Sequence, residues 1–140
     1  MKREKSCGAV LFCLKEGRYY TLLVKHTLGH WGFPKGHQDP EDIDEEATAK
    51  REIKEETGLI VDLDTGFRKT STYSPSNDVY KQVVYFVGKP QSGTAQPDLK
   101  EIEEVKWVSF TEALALLSYQ SDMDILEAAE EYLRGVESDN

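Results

Sequence analysis

The chain has 140 residues, 39% of them hydrophobic, and a formal net charge of −9. This length is typical of one folded domain that buries a core without metal or disulfide support. The balance of 26 acidic against 17 basic residues disfavours binding to nucleic acid or to an anionic membrane through overall charge. A small polyanion could still bind where metal ions and a few cations reverse the local field.

The cysteines and the apolar runs bear on the compartment. Cys7 and Cys13 lack the spacing of a redox or metal motif, and we interpret them as small apolar residues of one early strand. No signal segment opens the chain, and no apolar run approaches the length of a membrane span. We therefore expect a reduced, cytoplasmic protein that is a monomer or a homodimer.

The first forty residues predict a β-hairpin followed by a loop. Two apolar strands are expected at 6–14 and 19–25, joined by a short polar turn. Residues 26–40 are rich in Gly, His and Pro and have no period, which indicates an ordered loop. His26 and His30 have no metal-type spacing with a partner, so we interpret them as part of the loop structure.

The clearest helix follows this loop. Asp42 can serve as its N-cap, with Glu45 three residues later to complete a capping box. Gly58 is a natural C-terminal stop. Beyond the helix, a series of strands leads to two closing helices.

The later elements are predicted from their periodicity and from turn residues. We expect strands at 59–63, 66–73, 80–88 and 105–108, a turn at 74–78, a flexible loop at 89–98, helices at 111–117 and 123–133, and a frayed tail at 137–140. Strands, then a helix, more strands and two last helices together predict an α+β fold of the α/β/α layered type with a central mixed β-sheet.

Three carboxylates gather on one side of the predicted helix. At about 100° per residue, Glu52, Glu55 and Glu56 fall within one arc of roughly 100°, beside the apolar Ala49 and Ile53. Charges this close repel one another, and hard divalent cations such as Mg²⁺ and Mn²⁺, which prefer carboxylate oxygen, would offset the repulsion. A solvated acidic face is the alternative that these residues alone leave open.

A longer motif surrounds the carboxylates. Residues 51–59, Arg-Glu-Ile-Lys-Glu-Glu-Thr-Gly-Leu, resemble the second half of the Nudix box at every specified position. The first half differs, because six residues after Gly36 the chain has Asp42 where the pattern has Glu. Eight residues rather than seven then separate Asp42 from Arg51. We place the extra residue in the loop, which leaves Asp42 or Glu41 in the position of the first Glu.

The resemblance implies a Nudix hydrolase with the Nudix-type α/β/α sandwich, the box at about 36–58 and a single domain at 1–140. Segments 31–37, 66–68, 81–86 and 101–107 are similar to the subgroup that hydrolyses diadenosine tetraphosphate asymmetrically to ATP and AMP. Relatives that act on oxidised nucleotides or on RNA 5′-pyrophosphates are alternatives. A Nudix domain that binds nucleotides without catalysis is an alternative from another class.

The resemblance also implies a Mg²⁺ site, in which Mn²⁺ could substitute. Glu52 and Glu56 would be its primary ligands, and a carboxylate from the loop before the 105–108 strand would join them, Glu101 being the first choice and Glu103 the second. The whole implied set is Glu52, Glu55, Glu56, Gly36, Glu101 and Glu103.

A metal-activated water would attack phosphorus in such an enzyme. Glu55 or Glu101 is the candidate general base that takes the proton of this water. Arg51, four residues before Glu55, is expected to hold that carboxylate in place.

Cations and tyrosines are the candidates for binding a nucleotide substrate. They are Lys35, His37, Arg68, Lys81, Tyr73 and Tyr85. Lys35 would pair with a phosphate, and His37 would either donate to phosphate or cap the loop. Arg68 and Lys81 would supply the local positive charge that the chain lacks overall. Tyr73 is the better candidate for stacking on adenine, whereas Tyr85 lies in an apolar strand and is also explained as a core residue.

Overall fold

The computed structural model describes residues 2–138 of the chain. Its elements in chain order are β1 Lys2–Lys15, β2 Arg18–His26, β3 Trp31–Gly32, β4 Lys35–His37, α1 Glu45–Thr57, β5 Ile60–Ser76, β6 Val79–Ser92, β7 Ile102–Ser109, α2 Phe110–Leu116 and α3 Gln120–Ser138. None of the helices in this described range is long and apolar enough to cross a membrane.

The strands form one mixed sheet in the order β3-β2-β1-β6-β5, with β4 paired to β1 and β7 paired to β2. β1 and β6 run parallel from the pair Lys2–Val79 to the pair Leu11–Gly88, while the other strand pairs are antiparallel. The predicted mixed sheet is thus confirmed. The first half of β1 lies between β6 and β4, so three strands meet at its amino-terminal end.

Helices cover both faces of the sheet, because side chains of each central strand alternate between two cores. In β1, Val10 packs in the core under α2 and α3, whereas Ala9 and Leu11 pack in the core under α1. From α1, Ala49 and Ile53 are fully buried in the second core. The α/β/α layering is therefore confirmed, and it holds α1 beside β4.

Several predicted boundaries are wrong. The expected strands at 59–63 and 66–73 are both part of the single strand β5 from Ile60 to Ser76, which is interrupted by pairing irregularities rather than by a turn. β5 also extends into the expected turn at 74–78. The expected flexible loop at 89–98 begins as a continuation of β6 to Ser92, and the expected loop at 26–40 contains β3 and β4. These segments become strands because their backbone groups find partners far away in the sequence, which local patterns do not report.

The last helix also differs from the prediction of a frayed tail at 137–140. α3 continues through Ser138, and Glu137 accepts a hydrogen bond of 2.8 Å from the Tyr19 hydroxyl. The contact ties the end of the helix to the hairpin. Residues 139–140 lie outside the described part of the chain.

The N-cap of α1 is Asp44, not Asp42 as predicted. The Asp44 side chain accepts a hydrogen bond of 2.8 Å from the backbone N–H of Ala47. Asp42 lies two residues before this cap, and its carboxylate instead bonds to the side chains of Thr48 and Arg51. The extra residue of the loop therefore precedes the helix, as the unbroken helical phase indicated.

The C-terminal stop of α1 is confirmed. Gly58 has φ +77°, and its N–H donates to the carbonyl of Lys54 at 2.8 Å. This left-handed conformation costs an L-residue about 1–2 kcal/mol. The position therefore favours glycine.

We predict that Gly58→Ala lowers the free energy of unfolding by about 1–2 kcal/mol because of this strain. Gly135→Ala is a matched control of opposite sign. Gly135 lies inside α3 with no atom within 4 Å of the position of a Cβ, so alanine should stabilise by up to about 1 kcal/mol. Urea unfolding measures both variants, and a Gly58→Ala protein as stable as the unsubstituted one would contradict the assigned cap.

Candidate active site

One cavity of about 680 Å³ brings the carboxylates of α1 together with the cations of the neighbouring strands. Residues from β1, β2, β4, α1, β5, β6 and two loops line it. They are Ser6, His26, His30, Lys35, Gly36, His37, Glu52, Glu55, Glu56, Tyr73, Lys81, Asp98, Lys100 and Glu101. Most of the predicted metal-binding and phosphate-binding residues are among them.

Glu56 is the most deeply buried of the three carboxylates, with an exposed fraction of 4%. Its Oε1 accepts a hydrogen bond of 3.1 Å from the backbone N–H of Lys35. Burial raises the pKa of Glu56 to about 8, because a charged carboxylate loses hydration there. A carboxylate kept at such a place requires a compensating positive charge when it is ionised.

Glu52 lies directly against Gly36. A Cβ on Gly36 would overlap the carboxylate of Glu52, so glycine is what lets this side chain enter the cavity. Burial raises the pKa of Glu52 as well. Glu55, in contrast, keeps 57% of its side chain exposed at the rim.

Arg51 links the loop before α1 to the carboxylates. Its guanidinium donates Nε–H to Asp42 Oδ1 at 3.1 Å and Nη2–H to Oδ2 at 2.9 Å. Nη2 also reaches the backbone carbonyl of His37 at 2.9 Å, and Nη1 reaches Glu52 at 2.8 Å and Glu55 at 3.3 Å. The hydrogen bond with this guanidinium holds the pKa of Asp42 well below its usual range.

The oxygen donors of α1 suit a hard divalent cation in chemistry. Within residues 2–138, however, no three His, Cys, Asp or Glu side chains are already grouped in a geometry that could hold a metal ion. Arg51 accounts for part of this, because it pairs with Glu52 and Glu55. Glu56 is the carboxylate of the three that Arg51 leaves unpaired.

Glu4 holds two of the predicted phosphate-binding cations at the cavity. Its Oε2 lies 3.4 Å from Lys81 Nζ and 3.6 Å from His37 Nε2. Lys81 comes from β6 and His37 from β4, on opposite sides of β1. Sequence analysis missed Glu4 because the strand prediction began at residue 6, after this position.

Asp98 is a second residue that the sequence analysis missed. Its Oδ1 accepts three backbone hydrogen bonds of 2.9–3.2 Å, from Lys100, Glu101 and Ile102. These bonds fold the loop that brings Glu101 to the cavity, and Leu99 takes φ +65° within it. Short Asp side chains commonly fix turns in this way, so the residue type was the available signal.

Four predicted site residues are not among the residues that line this cavity, and Arg51, described above, is one of them. Arg68 makes two hydrogen bonds of 2.8 Å with Glu45 in the first turn of α1. Glu103 lies 3.7 Å from Lys25 Nζ. Tyr85 is only 1% exposed and does not line this cavity, although it contributes to the wall of the second cavity described below.

His26 and His30, expected to be loop structure, line the cavity instead. Their rings stack with centroids 4.2 Å apart. Burial, with a smaller contribution from His30, lowers the pKa of His26 to about 4, so this imidazole is neutral at physiological pH. Sequence spacing could not reveal the pair, because the tight turn between β2 and β3 creates it.

A second cavity of about 370 Å³ adjoins the first and shares four lining residues with it: His26, His30, Lys35 and Tyr73. The remainder of its wall includes three aromatic residues. Phe33, Tyr85 and Tyr119 line it, together with the buried Asp122. The described surface thus contains a charged cavity and an aromatic cavity joined at Lys35.

The chain folds as a mixed α/β/α sandwich, and its first helix presents glutamates to a cavity that also contains cations. This combination of fold and site is that of the class of Nudix-type hydrolases. The sequence model of the NUDIX domain family matches residues 2–129, and the chain belongs to this family. The family predicted from the 51–59 motif is therefore confirmed.

The chain is similar to several hydrolases of dinucleoside tetraphosphates. An asymmetrical bis(5′-nucleosyl)-tetraphosphatase of Mus musculus is 28% identical over 141 residues, covering 92% of this chain and 95% of the relative. The Rattus norvegicus protein of that name is 31% identical over 120 residues, covering 82% and 80%. A C. elegans Ap4A hydrolase in a binary complex superposes with a TM-score of 0.83 at 26% identity, covering 94% of this chain and 98% of that one.

We predict that Asp42→Asn lowers the melting temperature at pH 7, because it removes the charge that faces Arg51. The control is Glu41→Gln, at an exposed neighbour with no contact among the described residues, which should melt like the unsubstituted protein. Asp42 has a lowered pKa in the folded state, so its stabilisation exists above the unfolded pKa of about 4 and is lost as the pH falls further. Melting curves should show that the difference in melting temperature between Asp42→Asn and the unsubstituted protein is smaller at pH 3 than at pH 7. If Glu41→Gln lowers the melting temperature equally, the pairing of Asp42 with Arg51 is not the cause of the stabilisation.

Proposed function

We propose that this Nudix hydrolase is Mg²⁺-dependent and cleaves diadenosine tetraphosphate asymmetrically to ATP and AMP. The observation that carries the proposal is the single cavity in which the glutamates of α1 face Lys35, His37 and Lys81. A polyphosphate needs both metal and cationic contacts in a protein whose net charge is −9. The mouse and rat relatives, whose names state this activity, support the choice of substrate.

Glu52 and Glu56 are the proposed primary ligands of Mg²⁺, with Mn²⁺ as a substitute. Their i, i+4 spacing places them next to each other on α1, and the buried Glu56 forms no ion pair with a described side chain, Lys35 acting on it only through space. A bound Mg²⁺ would polarise phosphate oxygen and lower the pKa of the attacking water. Gly36 belongs to the site because it leaves room for Glu52.

The proton of the attacking water goes to Glu55 or Glu101, both of which line the cavity. Arg51 lies within 3.3 Å of Glu55 and positions it. The loop that Asp98 folds carries Glu101 to the opposite side. Glu103 pairs with Lys25 away from the cavity, so it is left out of the proposed metal site.

Lys35, His37 and Lys81 are the proposed phosphate contacts. Glu4 contacts His37 and Lys81 before the substrate arrives, and the positive charges of Lys35 and Lys81 attract the polyphosphate. Tyr73 is 46% exposed at the cavity and is available to stack on an adenine ring. Arg68 and Tyr85 are left out of this set, since one is paired with Glu45 and the other is buried.

We predict that Glu56→Gln lowers kcat/KM by a factor on the order of 100 or more, because loss of a direct ligand should exceed the roughly 10–100-fold effect of losing an outer-shell partner. The fold should remain, since glutamine keeps the shape and carries no buried charge. Glu46→Gln, on the same helix but paired only with Lys50, is the control and should stay active. Mg²⁺ should raise the melting temperature of the unsubstituted protein but not that of Glu56→Gln; an active, Mg²⁺-responsive Glu56→Gln would remove this residue from the metal site.

We predict that diadenosine tetraphosphate and Mg²⁺ yield ATP and AMP in equal amounts, and that a chelator stops the reaction. Chromatographic separation of the nucleotides measures the products. Two molecules of ADP per substrate would show symmetrical cleavage and contradict the proposal. Turnover of oxidised nucleotides or of 5′-triphosphate RNA, without turnover of diadenosine tetraphosphate, would assign the enzyme to another branch of the family.

A further inference from the structure

The cations of the charged cavity have a carboxylate beside them. Glu4 lies in β1, and its partner in the strand register is Lys81 of β6. Oε2 of Glu4 is 3.4 Å from Lys81 Nζ and 3.6 Å from His37 Nε2, and both partners line the cavity. A negative charge therefore lies next to the two groups that the proposed function assigns to phosphate.

Lys81 differs in this respect from the other lysines of the cavity. Lys35, Lys81 and Lys100 line it, and among residues 2–138 Lys81 is the one of the three that forms an ion pair. The pair is partly buried, because the side chain of Lys81 is 28% exposed and that of Glu4 is 22% exposed. A phosphate group that binds Lys81 must therefore compete with Glu4 for the same ammonium.

Glu4 keeps a second cation when Lys81 leaves. Its Oε1 lies 3.4 Å from the ammonium of Lys2, whose side chain is 73% exposed. Desolvation raises the pKa of Glu4, but the ammonium groups of Lys2 and Lys81 outweigh this effect, and the pKa is lowered. Glu4 is thus ionised at neutral pH, and it can release Lys81 without becoming an unpaired charge in a partly buried place.

The side chain of Lys81 is built for such an exchange. Its backbone is fixed by pairing with Glu4 of β1 on one side and with Tyr73 of β5 on the other, whereas its ammonium ends a flexible four-carbon stem. The ammonium can turn from the carboxylate to a ligand in the cavity while the sheet stays as it is. An imidazole pairs with a carboxylate only when it is protonated, so the exchange is assigned to Lys81 rather than to His37.

We propose that Glu4 is an internal competitor of the substrate at Lys81. It pairs with this lysine in the empty cavity, yields it to a phosphate group, and takes it back as the polyphosphate product leaves. The inference rests on the proposed function, which makes Lys81 a phosphate contact, and it adds a device that limits the affinity of the site for polyphosphate. A carboxylate that merely positioned Lys81 would raise this affinity instead, so the two roles differ in sign.

Glu4→Gln separates the two roles, because glutamine keeps the size of the side chain and removes its charge. The KM for diadenosine tetraphosphate and the inhibition constant of ATP should both fall by roughly two- to fivefold, the range of one exposed or partly exposed ion pair. The kcat value should not rise, since the product leaves more slowly. A KM that rises or stays unchanged would overturn the proposal.

Glu46→Gln is the matched control for the loss of one negative charge. Glu46 also forms an ion pair with a single lysine, Lys50, but neither residue lines the cavity. Both constants should therefore equal those of the unsubstituted protein. If Glu46→Gln lowers them as much as Glu4→Gln does, the overall charge of the protein is the cause and the proposal is overturned.

A double-mutant cycle shows whether Glu4 acts through Lys81. Calorimetry in buffer containing Mg²⁺ measures the binding of tripolyphosphate, which carries no base and needs no turnover. Glu4→Gln should bind it roughly two- to fivefold more tightly than the unsubstituted protein, and Lys81→Met should bind it more weakly. Added to Lys81→Met, Glu4→Gln should have little further effect; a gain of the same size without Lys81 would overturn the proposal.

The cycle also distinguishes this inference from the proposed function. If diadenosine tetraphosphate is not cleaved but Glu4→Gln tightens the binding of tripolyphosphate through Lys81, the choice of substrate is rejected and the competition is supported. If ATP and AMP are formed but Glu4→Gln binds tripolyphosphate no more tightly, the substrate is supported and the competition is rejected. If the double variant does not fold, the sign of the change in Glu4→Gln decides.

Discussion

The guanidinium of Arg51 joins the parts of the site that come from separate segments of the chain. It binds Asp42 and the carbonyl of His37 in the loop, and Glu52 and Glu55 on its own helix. The loop and α1 are therefore fixed to each other by one cation with several planar donors, which a lysine could not provide. The positions of Lys35 and Gly36 depend on this link, because both lie in the strand β4 that ends where the loop begins.

Charge pairing within the molecule prepares the cavity for a highly charged ligand. Arg51 pairs with Glu52 and Glu55 on one side of α1, so these two carboxylates have a cation beside them. Glu4 does the reverse for Lys81, with which it forms an ion pair, and it also contacts His37. Glu56 is the exception, because it is buried against the backbone of Lys35 and forms no ion pair, although the charge of Lys35 acts on it through space. This carboxylate without an ion pair is the one where the resemblance to Nudix proteins places a metal.

Local sequence patterns predicted α1 well, whereas contacts between distant segments escaped them. Helical period and Gly58 specify where α1 ends, and the arc of Glu52, Glu55 and Glu56 follows from geometry within four residues. The site loop was harder, because the pairing of β4 with β1 depends on backbone partners that no short window contains. Glu4 and Asp122 were not predicted for the same reason. Neither belongs to a sequence motif, and each is brought to a cavity only by the assembled fold. Arg68 shows the converse, a cation that looked available but is bound by Glu45 on the neighbouring helix.

The parallel pairing of β1 with β6 has a consequence for the order in which the protein assembles. Lys2 pairs with Val79, so the amino-terminal strand cannot complete its hydrogen bonds until most of the chain has been made. Closing such a long loop is slow, because the entropy is lost before the contacts are gained. Lys35 and Lys81 flank β1 from β4 and β6, so the cavity between them forms only when this closure has occurred. During synthesis the nascent chain would therefore present a β1 that can pair with β2 and β4 but lacks β6. The site would be incomplete at this stage, and the open apolar edge of β1 would be exposed to association with other chains.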